Sequence, residues 1–499
     1  MESKFQKTGF TCLNGVLREV RNTEQTQEIR LSDGMPDIGR ILGAWGQVIL
    51  RGKEWNRDSI QLSAGMQTWV LYQPEDGGKV QRLEGWIPFQ MSWDLPDNTP
   101  EGHIRILCLP RFVDARSTSA RKMTVRAGVG AMAEVLAPVT AEVYIPDSLP
   151  EDVELLRTSY PMCLPKEAGE KTFLMDEELI LPGSAPLPEK IIYYRMEPIV
   201  TDQKVLGNKL VFRGNGRLHV LYESEEGQLH NWDFEVPFSQ YMDLEGSHSP
   251  DARGDVLAGV TSLELELDDE GHMTLKAGLV AQYLICDMQL VELVEDAYSP
   301  LRELGVRQEM LELPAVLDSR RENIYGEQTI SADGNLVADV EYLRDFPRYQ
   351  RSDSGMEVSL PGSLQTLYYD GEGKLQSVRH RWEQNHMLKA DPDSRISAIP
   401  MAGGEPQLHL SGDRMTVKVE LPVQFLTTGG RGIPMVTGLE LGELRERDPE
   451  RPSLILRRAG RERLWDVAKR TGSTVEAIQK ANGLQEEPTP DRMLLIPVS

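Results

Sequence analysis

The C-terminal stretch, residues 453–499, reads SLILRRAGRERLWDVAKRTGSTVEAIQKANGLQEEPTPDRMLLIPVS. Its apolar spacing predicts two strands, over 454–456 and 493–497, that enclose two helices, over 463–469 and 474–481. This strand–helix–helix–strand order decides the fold of the C-terminal end and sets it apart from the rest of the chain.

The second helix has signals at both of its ends. Ser473 and Glu476 have the spacing of a capping box, in which the serine oxygen accepts a first-turn amide and the glutamate reaches back. Asn482-Gly483 predicts the C-terminal stop, because glycine adopts a left-handed conformation without steric cost.

This pattern resembles the LysM module. The resemblance rests on four blocks that occur in order, Leu464–Lys469, Thr474–Ile478, Ala481–Leu484 and Leu494–Pro497. LysM modules usually have the sequence GDTL before the tryptophan, whereas this chain has Gly460-Arg461-Glu462-Arg463-Leu464. Because the family's glycan contacts come partly from that loop, two interpretations stay open: the module binds a protein, or it binds the N-acetylglucosamine chains of peptidoglycan.

We expect Trp465 to be mainly structural, since a small module without disulfides needs its apolar side chains in its core. The candidate residues for binding a partner or a glycan then form the rim of the module. They are Arg461, Glu462, Arg463, Leu464, Asn482, Gly483 and Leu484.

Composition and charge limit the number of domains, the kinds of partner and the cell compartment that we expect. The chain has 499 residues and a formal net charge of −24, whereas residues 453–499 have 8 Lys/Arg against 6 Asp/Glu. Such a length predicts several domains, and an acidic body repels nucleic acid and anionic lipid, so we expect no nucleic-acid partner.

The four cysteines are far apart, which favours reduced thiols in the cytosol. No apolar segment predicts a signal peptide or a transmembrane helix, so we expect a cytoplasmic protein.

Self-comparison reveals repeated landmarks ahead of the LysM-like module. Residue types recur about 150 residues apart in four pairs, Pro36/Pro186, Tyr72/Tyr222, Met123/Met273 and Pro88/Pro237. Tyr369 and Met415 mark a third, degenerate copy, in which Trp382 takes the place of the Pro-Phe block.

The repeats are predicted to be β-structure. Between Met415 and Phe425 apolar and polar residues alternate strictly, which is typical of a half-buried strand. Turns rich in glycine and acidic residues follow each tyrosine landmark. The predicted fold class is therefore mainly β, with tandem antiparallel sandwich-like repeats followed by a small βααβ domain. A short helix is also predicted over 150–156, with a proline in its first turn.

These features divide the chain into six segments. They are the first repeat (1–145), a connector (146–177), the second repeat (178–295), a connector with the degenerate third repeat (296–442), a charged linker (443–452) and the LysM-like domain (453–499).

The first repeat contains three tryptophan-rich blocks, Trp45–Trp55, Trp69–Tyr72 and Trp86–Phe89. They resemble the SPOCS repeat, which is associated with sporulation in spore-forming Firmicutes. Several such repeats ahead of one LysM module are similar to the clostridial spore-coat morphogenetic proteins. The resemblance implies a mother-cell protein of the forespore envelope whose LysM module binds the spore-coat basement-layer ATPase, stage IV sporulation protein A.

Motifs for catalysis are absent from the sequence, which has no GxxxxGK[ST], GxSxG or HExxH, and its histidines do not cluster at metal-site spacing. The segment Gly128–Ala133 fits GxGxxA, but it falls in a β pattern without a helix start. We therefore expect no enzymatic activity, cofactor or metal. An enzyme with an unrecognised site is the last alternative.

Because the sequence has no motif for catalysis, binding through surface residues is the remaining explanation of its function. Trp45, Trp55 and Trp93 lie outside the longest apolar runs and are candidate anchors for a protein partner. The basic run from Arg105 to Arg126 is expected to pair with neighbouring acids. The sequence thus predicts a non-enzymatic scaffold that links the coat basement layer to the forespore surface, with peptidoglycan binding as the alternative.

Overall fold

The computed structural model describes residues 5–331, 334–353, 355–389, 391, 394–429, 432–446 and 452–498. The chain consists mainly of antiparallel strands arranged in several small sheets, which confirms the predicted mainly-β class. Among the described residues, none of the helices has the length and apolar character needed to cross a membrane.

The first sandwich contains six strands. They are β1 (Phe5–Arg30), β2 (Ile38–Asn56), β3 (Ser59–Pro74), β4 (Gln81–Asp94), β5 (His103–Ser119) and β6 (Lys122–Pro146). The strand orders are β1-β6-β5 and β2-β3-β4, and the two sheets enclose an apolar core that includes Met66 and Val125. The landmark Tyr72 lies in this core and donates a hydrogen bond from its hydroxyl to the Pro36 carbonyl at 3.0 Å.

The second sandwich repeats this strand order. Its strands are β7 (Glu154–Leu179), β8 (Pro188–Leu206), β9 (Lys209–Ser224), β10 (Leu229–Asp243), β11 (Arg253–Leu267) and β12 (Met273–Tyr298). The sheets are β7-β12-β11 and β8-β9-β10. The helix predicted over 150–156 is wrong, because Glu154 begins β7 and pairs with Tyr298 of β12. Ladder hydrogen bonds to a distant strand outweigh the local helical preference of that segment.

The third set of strands, which we call the third sandwich, has ten strands among the described residues, where each of the first two sandwiches has six. It comprises β13 (Arg302–Leu311), β14 (Val316–Ser331), β15 (Gly334–Arg344), β16 (Arg348–Ser352), β17 (Gly355–Asp370), β18 (Leu375–Leu388), β19 (Ser394–Pro400), β20 (Gln407–Ser411), β21 (Arg414–Gly429) and β22 (Ile433–Leu444). Its main sheets are β14-β21-β19, with β20 also on β21, and β15-β17-β16, with β18 also on β17; β13 pairs with β22.

The position of Trp382 relates the third sandwich to the first. Trp382 pairs with Gly362 of β17, and Pro88 pairs with Gly65 of β3. Each of these two glycines precedes the tyrosine landmark of its strand by seven residues. The tryptophan therefore occupies the register position of the proline.

The C-terminal unit, residues 452–498, contains β23 (Leu454–Arg458), α1 (Leu464–Thr471), α2 (Val475–Asn482) and β24 (Met493–Pro497). These bounds differ from the predicted ones by at most two residues. The predicted linker, 443–452, overlaps β22, and its residues 447–451 lie outside the described residues.

Two of the three candidate tryptophan anchors are buried. Trp45 and Trp93 are 1% and 0% exposed, and Trp55 is half-buried against the first core. The expectation that these rings are available to a partner is wrong for Trp45 and Trp93, because neighbouring strands cover them. Trp45 instead stacks on Tyr193 of the second sandwich, with ring centroids 4.8 Å apart.

This stacking predicts that Trp45 stabilises the contact between sandwiches. We expect Trp45→Ala to lower the free energy of unfolding by about 3–5 kcal/mol, because a large buried side chain is lost. Urea unfolding followed by circular dichroism measures the change. The control is Trp232→Ala, at a half-exposed ring of β10. This variant is expected to change the free energy of unfolding by at most about 0.5 kcal/mol. Equal shifts in the two variants would contradict the assignment.

Candidate functional site in the C-terminal unit

The C-terminal unit has one small core. Ile455 of β23 pairs with Ile496 of β24, and both helices cover this face of the two-stranded sheet. The buried members of the core from this unit are Ala459, Leu464, Trp465, Val467, Ala468, Ile478, Leu494 and Ile496. Their number is small for an independent domain, which makes contacts with the sandwiches important.

The start of α2 differs from the predicted capping box. Thr474 is the N-cap residue, and its hydroxyl accepts the Ala477 amide at 3.0 Å. Ser473 is fully buried, and its backbone carbonyl accepts a hydrogen bond from the Tyr298 hydroxyl at 2.9 Å. The cap therefore lies one residue later than predicted, and Ser473 instead contacts β12 through its backbone. The predicted stop is confirmed, since Gly483 ends α2 with a φ of 61°.

The unit is docked on the end of β12. The indole N–H of Trp465 donates to Asp296 Oδ2 at 2.9 Å, and its ring meets Tyr298 edge-on at a centroid distance of 4.7 Å. Lys469 donates to both carboxylate oxygens of Asp296, at 2.7 and 2.8 Å. A single carboxylate thus accepts hydrogen bonds from one neutral donor and one charged donor of the same helix.

Tyr298 is part of both units. It belongs to the apolar cluster of the C-terminal unit although it is the last residue of β12. Burial, with Glu154 and Asp296 nearby, raises the pKa of Tyr298 above its usual value, so its hydroxyl stays protonated as a donor to Ser473. Trp465 is accordingly structural, as the sequence predicts, and its ring is covered.

The loop before α1 contains the first candidate rim residues. Arg461 is exposed. Glu462 forms ion pairs with Arg457 and with Arg470, the latter at 2.7 Å. Glu462 therefore joins β23 to α1, and its carboxylate is already neutralised by two cations.

Two further rim candidates differ in exposure. Arg463 is exposed and pairs with Asp466 at 3.2 Å. Leu464 is only 2% exposed, so its assignment to the binding rim is wrong. The first turn of α1 directs this side chain into the core, while its backbone amide donates to Glu487 at 2.9 Å.

The corner after α2 joins the helix to β24. The side-chain oxygen of Asn482 accepts the Leu495 amide at 2.8 Å, and its nitrogen donates to the Leu495 and Ile478 carbonyls at 2.6 and 2.8 Å. Gly483 is exposed, and Leu484 packs half-buried against the core. The side-chain amide of Asn482 thus uses both of its N–H donors and accepts one hydrogen bond within the unit.

The sequence reasoning missed the opposite face of the sheet. Leu456 pairs with Leu495, and both side chains point away from the helices. We call this surface the outer face; its exposed apolar members are Leu454, Leu456, Met493 and Leu495. A signal was present, because both strands are apolar at consecutive positions rather than at alternate ones, which predicts two apolar faces.

A basic residue borders the outer face. Arg458 pairs in register with Met493, so its side chain is on the same side of the sheet. It is exposed, and no ion pair involves it among the described residues. The outer face is therefore an apolar patch with positive charge at one edge.

The basic run of the first sandwich is paired, as predicted. Its ion pairs are Arg105–Glu134, Arg111–Asp345, Arg116–Asp114, Arg121–Asp37, Lys122–Glu28 and Arg126–Glu24. These carboxylates reduce the positive potential that the run presents to solvent.

One segment of the chain matches a known protein family. Residues 188–268 match the family described as SipL, SPOCS domain. The matched segment begins with β8 and ends just after β11, so it lies within the second sandwich. The match supports a SipL-like family and indicates a sporulation-related protein. No significant match is found among curated proteins or solved structures.

The docking contact predicts a local effect of Asp296. We expect Asp296→Ala to reduce the opening free energy of α1 by about 1–3 kcal/mol, because a buried indole N–H loses its acceptor. Hydrogen exchange of the α1 amides measures this change. The matched control is Asp466→Ala, which removes only an exposed ion pair and is expected to cost at most about 1 kcal/mol. Unchanged exchange in Asp296→Ala would contradict the docking role.

Proposed function

We propose that the protein is a non-enzymatic scaffold of the spore envelope that binds a coat basement-layer protein through its C-terminal unit. The match of residues 188–268 to the SipL, SPOCS domain supports the sporulation context. In this proposal the C-terminal unit is a LysM-type module and the three sandwiches are SPOCS-type repeats. The partner is an ATPase of the stage IV sporulation protein A type, on the mother-cell side of the forespore envelope.

The outer face is the observation that carries this proposal. Leu454 and Leu456 are 56% and 66% exposed, although they lie in a regular strand beside Leu495. Contiguous apolar side chains at a surface are typical of protein interaction sites, since burying them is favourable by roughly 25 cal/mol per Å². Arg458 at the edge favours a partner with acidic residues around an apolar centre.

Peptidoglycan binding is the alternative, and the described surface favours it less. A sugar platform needs an exposed aromatic ring, and the unit's tryptophan, Trp465, is 6% exposed with its N–H already bonded to Asp296. The aliphatic side chains of the outer face offer no hydrogen-bond partners to sugar hydroxyl groups, whose burial without partners is unfavourable.

The docked position of the C-terminal unit supports a scaffold role. Trp465, Lys469 and Ser473 hold the unit against β12, so the outer face projects from the second sandwich. A second binding surface on the sandwiches would then lie at a set separation from the outer face. Such an arrangement raises the effective concentration of the second contact once the first has formed.

Leu456→Glu in the full-length protein tests the proposal. It places a charge in the centre of the outer face, and we expect at least about tenfold weaker binding to the purified ATPase, a loss of about 1.4 kcal/mol. Binding is measured by biolayer interferometry, and sedimentation with peptidoglycan sacculi is measured in parallel.

The matched control is Leu174→Glu, because this leucine of β7 is also exposed but lies outside the C-terminal unit. We expect it to bind like the unmodified protein. Saturable binding to sacculi without binding to the ATPase would favour the glycan alternative. Equal affinities of the Leu456 and Leu174 variants would exclude the outer face as the contact.

A further inference from the structure

Three potential metal ligands meet between the second and third sandwiches. His219 lies in β9, Asp233 in β10, and Glu405 in the segment between β19 and β20. The Nδ1 atom of His219 is 2.7 Å from Asp233 Oδ1 and 3.7 Å from Glu405 Oε1. One ligand atom from each residue lies within 4.8 Å of the other two, which is a compact set.

The other ring nitrogen of His219 is held in place. Its Nε2 is 2.8 Å from Asp339 Oδ1, and the second oxygen of Asp339 accepts the Tyr193 hydroxyl at 2.9 Å. A carboxylate behind one imidazole nitrogen, which orients the ring and directs the other nitrogen to the ion, is typical of histidine metal ligands.

Asp233 and Glu405 share one cationic partner. Among the described residues, His219 is the sole cationic group within 4.0 Å of either carboxylate. The neighbouring arginines face other acids, with Arg195 at 3.6 Å from Glu341 and Arg217 at 3.7 Å from Glu197. Two carboxylates directed at a single imidazole leave negative charge for which a divalent ion is a better partner.

The surrounding space fits an ion. A cavity of about 30 Å³ is lined by His219, Asp233, Glu405 and Gly403. Its lining also includes three arginines, Arg195, Arg217 and Arg344, whose charges are paired with Glu341 and Glu197. A Cβ atom at Gly403 would collide with the Glu420 carbonyl of β21, so glycine permits the close approach that brings Glu405 to the site. A space of about 10–15 Å³ already suffices for one water-sized group.

We propose that His219 Nδ1, Asp233 and Glu405 bind a divalent transition-metal ion, with Zn²⁺ as the best fit. Metal–ligand distances of about 2.0–2.2 Å separate tetrahedral ligand atoms by about 3.4 Å. The His219–Glu405 distance of 3.7 Å is near this value, and the His219–Asp233 pair must open by less than 1 Å. One imidazole with two carboxylates suits Zn²⁺ better than Ca²⁺ or Mg²⁺, which prefer oxygen ligands alone.

The ion would join two sandwiches. His219 and Asp233 belong to the second sandwich, whereas Glu405 belongs to the third. Zn²⁺ therefore stabilises this contact, and it does so independently of the outer face of the C-terminal unit.

Calorimetric titration of the chelator-treated full-length protein with Zn²⁺ tests the proposal. We expect one equivalent to bind and the melting temperature to rise, with Mg²⁺ and Ca²⁺ producing neither effect. Glu405→Gln and Asp233→Asn are each expected to weaken Zn²⁺ binding at least tenfold. Glu405 is half exposed, so its variant is expected to fold normally.

Glu420→Gln is the matched control, because Glu420 lines the same cavity but accepts hydrogen bonds from Asn323 and Tyr325. It is expected to bind Zn²⁺ like the unmodified protein. Co²⁺ substitution is expected to give a visible spectrum without a thiolate charge-transfer band. Lack of saturable binding, full affinity in Glu405→Gln, or a thiolate band that indicates Cys163 or Cys286 would each overturn the assignment.

Discussion

The contact of Trp465 with Asp296 and Tyr298 is the interaction on which the C-terminal unit depends. A two-stranded sheet and two eight-residue helices are each marginal in water. The aromatic pair extends their core into β12, while Asp296 accepts hydrogen bonds from both Trp465 and Lys469. Because its core is completed by another domain, the unit is structurally an extension of the second sandwich, and the outer face is presented from that base.

The sandwiches are joined by buried polar groups as well as apolar ones. Tyr193 stacks on Trp45 of the first sandwich and donates its hydroxyl to Asp339 of the third. Nearby, Glu197 is surrounded by arginines, and although burial alone would raise its pKa, Arg344 and its neighbours hold the pKa at about 2. Removing one member of such a network leaves a buried charge without a partner, so these groups impose one relative placement of the sheets.

Local sequence predicted several elements well. The two helices, the glycine stop at Gly483 and the strand alternation after Met415 follow from side-chain spacing and backbone preference, which act over a few residues. Two of the wrong predictions concern segments that contact β12. The cap is at Thr474 rather than at Ser473, whose backbone carbonyl binds Tyr298 of β12. Residues 154–156 of the helix expected over 150–156 belong to β7, because they pair with β12, which lies far away in sequence.

The sequence by itself therefore determined the mainly-β class, the landmarks that recur along the chain and the order of elements at the C-terminus. Tertiary structure alone decided which side chains are covered. Trp45 and Leu464 were expected to be available to a partner but are buried, whereas Leu456, in a predicted strand, is exposed. The physical reason is that burial depends on which surfaces pack together. The grouping of His219, Asp233 and Glu405 likewise requires strands and a loop separated by many residues to meet.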